Sequence, residues 1–62
     1  MDREELIELG EMYCELRPGS YIVDVDTEKN TITTYFAGAL LTSDADKVKE
    51  MLKIRNEEAK IA

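Results

Sequence analysis

Leu6, Leu9, Tyr13 and Leu16 recur at helical spacing, so at about 100° per residue they share one stripe of an amphipathic helix running from Asp2 to Leu16. Arg17-Pro18-Gly19 ends it, because Pro disfavours α conformation in the residue before it and Gly admits the turn that follows. Gly10, inside this helix, costs roughly 1 kcal/mol against Ala unless a neighbour packs closely over it. From Ser20 to Phe36 the chain is rich in Tyr, Val, Ile and Thr, broken by Thr27-Glu28-Lys29-Asn30. That pattern predicts two strands joined by a four-residue turn, with Asn30 in its left-handed position. Pairing Asp26 with Thr31 sets Val25 opposite Ile32, Val23 opposite Thr34 and Tyr21 opposite Phe36 on a core face. Ile22 opposite Tyr35, and Asp24 opposite Thr33, then face outward. After a loop of Ala37-Gly38-Ala39-Leu40-Leu41, Thr42 or Ser43 is expected to cap a second helix, with Asp44 and Asp46 in its first turn. Ala45, Val48, Leu52 and Ala59 form the buried stripe of that helix, with Met51 and Arg55 at its border. The expected architecture is α+β in the order α-β-β-α, two helices packed on one antiparallel hairpin, as a single domain over residues 1–62.

Composition narrows the chemistry. A chain of 62 residues buries only about 60% of its unfolded surface, which leaves no room for a second domain or a large cofactor pocket. With 14 acidic against 8 basic side chains, the net charge of −6 opposes direct binding to nucleic acid or to an anionic membrane. The absence of His and the single Cys exclude a His-based triad, an internal disulfide and a Cys/His zinc site. Asp24-Val25-Asp26-Thr27-Glu28-Lys29-Asn30 alternates oxygen-bearing side chains like the start of a calcium loop, but Lys29 and Tyr35 stand where that loop needs Gly and Glu. We therefore expect no catalytic residue, no metal and no cofactor. The start of the chain has neither a basic nor an apolar leader region, and no apolar run approaches the roughly 20 residues of a membrane span. A cytoplasmic protein, kept whole, is the expectation.

Two sets of residues are candidates for binding a partner. Glu4, Glu8, Glu11 and Glu15 repeat along one side of the first helix, where a row of charges imitates phosphates and suits an acidic decoy that blocks a nucleic-acid-binding protein. Residues 1–17 carry a net charge of −4, whereas residues 43–62 are neutral. The second set is apolar: Ile22 and Tyr35 on the outer face of the hairpin, and Ile54 and Ile61 on a side of the last helix away from Val48 and Leu52. Several such residues in so small a chain point to a surface meant for another protein, or for another copy of this one.

Arg3-Glu4-Glu5-Leu6 opening a first helix, Leu16 and Gly19 leading into a Val-rich hairpin, and Thr42-Ser43-Asp44 before a last helix together resemble the head–tail joining (head completion) protein W family of lambda-like phages. The resemblance implies a small α-β-β-α domain with no enzymatic chemistry, which plugs the portal of a filled head and offers a surface to the tail. On that reading the protein resides in the host cytoplasm or the virion, and the outer hairpin face and the tail after Arg55 make the subunit contacts. The chain departs from the family in its acidity, in a longer hairpin turn without Gly, and in five extra residues before the second helix. Leu40-Leu41-Thr42-Ser43-Asp44-Ala45 is also similar to a short segment of phage uracil-DNA glycosylase inhibitors, in keeping with the decoy reading.

Overall fold

A computed structural model describes residues 1–61, with side chains through Ala59. The order is α1 (Arg3–Glu15), β1 (Tyr21–Asp26), β2 (Thr31–Phe36), β3 (Ala39–Asp44) and α2 (Ala45–Ile61). The class is α+β, as expected, but the hairpin is extended to a three-stranded antiparallel sheet of order β1-β2-β3. Both helices pack on one face of that sheet. Leu6 and Leu9 of α1, Val25 and Ile32 of the sheet, and Ala45 and Val48 of α2 form the core, with Ile7, Tyr13, Ile22 and Leu52 packed at its margin.

Local chemistry accounts for each boundary. The Asp2 carboxylate accepts the Glu5 N–H at 2.8 Å and caps α1, satisfying one of the donors that a helix start leaves free. Beyond α1, Ser20 N–H donates to the Arg17 carbonyl at 3.1 Å across Pro18 and Gly19, and Gly19 has φ +95°. Proline followed by a positive-φ glycine is the combination a type II turn requires. At the β1–β2 turn, Asp26 accepts the N–H groups of Glu28 and Lys29, and Asn30 takes the expected left-handed conformation at φ 58°.

Three expectations are corrected. First, Ala39–Asp44 is a strand and not a loop. It is joined to β2 by the two-residue turn Ala37-Gly38, both residues at positive φ, as a primed hairpin turn demands. Second, Thr42 and Ser43 lie within β3 and do not cap the last helix. Asp44 does, accepting the N–H groups of Asp46 at 2.9 Å and Lys47 at 3.3 Å. Third, the outward placement of Ile22 fails. The pairing runs as expected from Asp26↔Thr31 to Asp24↔Thr33, then shifts so that Ile22, not Val23, stands opposite Thr34. Val23 is the extra residue of a β-bulge, which turns Ile22 toward the core and Tyr21 toward the outer face beside Tyr35.

Gly10 accommodates that inward Ile22. A methyl at this position would lie 2.8 Å from Ile22 Cδ1 and 3.2 Å from Ile32 Cγ2, so the helix and the sheet touch here backbone to side chain. The start of α2 is fixed from the sheet as well: Ala45 N–H donates to the Asn30 carbonyl at 2.9 Å, and the Met1 ammonium reaches Asn30 Oδ1 at 3.5 Å. Both helices thus begin beside Asn30 and run in the same direction along the sheet.

Candidate functional site

The register divides the outer face of the sheet into bands. Tyr21, Tyr35 and Leu40 lie abreast across the three strands, followed by Asp24, Thr33 and Thr42, and then by Asp26, Thr31 and Asp44. The first band is apolar, the second carries a hydroxyl pair with Thr33 and Thr42 oxygens 3.0 Å apart, and the third is flanked by two carboxylates. Tyr21 and Tyr35 rings pack tilted at 35° with centroids 5.3 Å apart, so Tyr35 is half-buried beneath a neighbour that is itself exposed. Leu40 beside them is 64% exposed, and Val23, displaced by the bulge, is 50% exposed.

The opposite face of the sheet is open at the same end. There α1 and α2 leave a cleft of about 190 Å³ whose walls include Leu16 from α1, Phe36 and Leu41 from the strands, and Met51 from α2. All four of these side chains are exposed. Arg17 lies over the Phe36 ring, its guanidinium carbon 5.3 Å from the centroid, and among the described residues supplies the one cation within that rim. Apolar side chains on both faces therefore converge on the end of the sheet that carries the Ala37-Gly38 turn, while Asp26, Glu28 and Asp44 occupy the other end.

A second concavity lies between the helices. It is a groove of about 780 Å³ with Leu9, Met12, Leu16 and Leu52 along its floor. Glu5, Glu8 and Glu15 stand on the α1 side, and Lys49, Lys53 and Arg55 on the α2 side.

The candidates from the sequence are distributed over these surfaces unevenly. Tyr35 does lie on the outer face, in the apolar band. Ile22 does not, for the reason given by the bulge. Ile54 is 48% exposed on α2, outside both concavities, and the side chain of Ile61 lies outside the described residues. Ala59, expected in the buried stripe, is exposed at the groove. Glu4, Glu8, Glu11 and Glu15 are all exposed, and Glu8 and Glu15 border the groove. Tyr21, Val23, Leu40 and Leu41 were not among the candidates. The signal that marks Tyr21 and Val23 is the run Tyr21-Ile22-Val23, apolar in either strand phase; Leu40 and Leu41 follow Ala37-Gly38, a turn without the Asn-Gly or Asp-Gly signature.

Among the described residues, no group of three or more His, Cys, Asp or Glu side chains is placed to hold a metal ion, and no helix is long and apolar enough to cross a membrane. The fold and its exposed surfaces define a small α-β-β-β-α domain with one apolar end. No protein-family model, curated protein or solved structure matches this chain.

Proposed function

We propose that this chain is a non-enzymatic binding module that docks another protein on the apolar end of its sheet. The observation that carries the reading is the convergence of Tyr21, Val23 and Leu40 from one face and Leu16, Phe36, Leu41 and Met51 from the other onto a single end of the molecule. Scattered exposed apolar residues are ordinary, whereas several gathered at one end of a small domain are the usual mark of a protein interface. The aromatic pair with its leucine neighbour is the kind of anchor that dominates such interfaces.

The resemblance to head–tail joining proteins supplies a setting: assembly of a virion, with the chain in the host cytoplasm before it joins the particle. The test is to mix filled heads of a lambda-like phage that lack their own joining protein with tails and with the purified chain, and to titre infectious particles. Restored infectivity that is lost with Leu40→Ser supports the setting and the surface together. No restoration removes the setting.

The acidic decoy remains the alternative, supported by the exposure of Glu4, Glu8, Glu11 and Glu15 along α1. We prefer the apolar reading because Glu8 and Glu15 share their groove with three cations, which weakens the field a phosphate mimic needs. Binding to a nucleic-acid-binding protein that falls steeply with salt, and with Glu8→Gln and Glu11→Gln, would reverse that preference.

A further inference from the structure

We propose that two copies of this chain pair face to face through the groove between α1 and α2, about a two-fold axis that runs along the groove. This goes beyond the docking of a different protein at the apolar end and does not depend on it. The groove has an apolar floor, and its two walls carry opposite charge: Glu5, Glu8 and Glu15 against Lys49, Lys53 and Arg55. A two-fold axis along the groove lays α1 of each copy over α2 of the other. The acidic wall of one copy then meets the basic wall of its partner, twice, and the Met12 and Leu52 floors meet across the axis. A two-fold axis perpendicular to the helices would instead stack α1 on α1, glutamate on glutamate, so charge selects one orientation.

The dimensions suit such a pairing. The domain measures 33 × 27 × 15 Å, so its broadest face is comparable with the about 800 Å² per partner that a stable interface takes. Both helices begin at Asn30, so residues at one level of the groove face residues at the same level in the partner: counted from Arg3 and Ala45, Glu8 lies near the level of Lys49, and Glu15 beyond Lys53, nearest the level of Arg55.

The test uses two charge-reversed variants of the whole chain. Glu8→Lys with Glu15→Lys makes the groove mostly basic, and Lys49→Glu with Lys53→Glu makes it mostly acidic. All four side chains are exposed, and far-ultraviolet circular dichroism checks that each variant is folded. In sedimentation equilibrium from about 1 μM to about 1 mM, the wild type should dimerise, and each variant alone should dissociate with Kd raised on the order of a hundredfold. An equimolar mixture of the two variants should recover a dimer, because each acidic wall again meets a basic one. A monomeric wild type throughout this range would overturn the proposal, as would variants that dimerise like the wild type or a mixture that fails to recover. A dimer that survives both charge reversals and is lost with Leu40→Ser would overturn the groove and leave the apolar end as the contact, which separates the two surfaces.

Discussion

Gly10→Ala pits helix propensity against packing, and the structure decides which wins. On propensity alone, Ala in place of a helical Gly gains about 1 kcal/mol. The added methyl would stand 2.8 Å from Ile22 Cδ1, 3.0 Å from Ile22 Cγ1 and 3.2 Å from Ile32 Cγ2. Ile32 is fully buried in the middle strand and β-branched, so it has no rotamer to retreat to. Ile22, near the start of an edge strand, has to move, and with it the packing of the bulge. Overpacking of this kind costs about 1–3 kcal/mol, so the net effect should be a loss of about 1 kcal/mol. Ile22→Ala removes both close atoms and, being only partly buried, should cost about 2 kcal/mol by itself. In that background the new methyl meets only Ile32, at 3.2 Å, a contact relieved by a shift of a few tenths of an ångström into the space Ile22 has left, and Gly10→Ala should become stabilising by up to about 1 kcal/mol.

The coupling between the two sites is therefore about 2 kcal/mol, within the range that neighbours in contact display. Urea denaturation of the four proteins of the cycle, followed by far-ultraviolet circular dichroism, measures it. With a slope of about 1 kcal/mol per M, each kcal/mol displaces the midpoint by about 1 M. A domain of 62 residues has a total stability of about 3–9 kcal/mol, so the least stable member should still fold. Additive effects, with Gly10→Ala stabilising in both backgrounds, would refute the close approach of α1 to the bulged strand.

Two further substitutions test the parts of the fold that hold β3 and α2. Ala37 sits at φ 51° in the β2–β3 turn, where an L residue other than Asn or Asp is strained, so Ala37→Asn should stabilise by about 0.5–1 kcal/mol and raise Tm by several degrees in a thermal scan. An unchanged or lowered Tm would count against the primed turn. Asp44→Ala removes the acceptor for the Asp46 and Lys47 N–H groups and should cost about 1 kcal/mol in urea denaturation, while Asp44→Asn should retain most of the cap. Equal losses in Ala and Asn would mean that the carboxylate acts by its charge on the helix dipole and not by its hydrogen bonds.

What was legible in the sequence is what local chemistry determines. The Leu6/Leu9 stripe, the Pro18-Gly19 stop, the Asp26–Thr31 pairing and the left-handed Asn30 each follow from a few adjacent residues, and each is present. The third strand was hidden because Ala39 to Asp44 contains one β-branched residue and alternates poorly: outward Leu40 is apolar, and inward Ser43 is polar. Its turn lacks the Asn-Gly or Asp-Gly signal, since Ala37 fills a position that normally excludes Ala. The bulge was hidden for a different reason. Tyr21-Ile22-Val23 offers an apolar side chain to the core in either phase, so alternation cannot locate the extra residue, and extrapolating the register from the turn places Val23 inward. That single residue accounts for the exchange of Ile22 for Tyr21 and Val23 on the outer face.

The bulge also links the core to the candidate surface. A regular β1 would bury Tyr21 and Val23 and expose Ile22, with Val23 opposite Thr34 in the place beside Gly10 and the Tyr21 ring beyond it, opposite Phe36. Inserting Val23 puts Ile22 against Gly10 and sends the aromatic ring outward, where it packs on Tyr35 and extends the apolar band to Leu40. Close helix packing on one face and an aromatic anchor on the other are thus two results of the same irregularity. Asp26, Glu28 and Asp44 lie at the far end from this anchor, and Lys49, Lys53 and Arg55 of α2 face the groove. A partner on the outer face at the apolar end would therefore lie away from these sheet carboxylates, where a contact driven by apolar burial is less opposed.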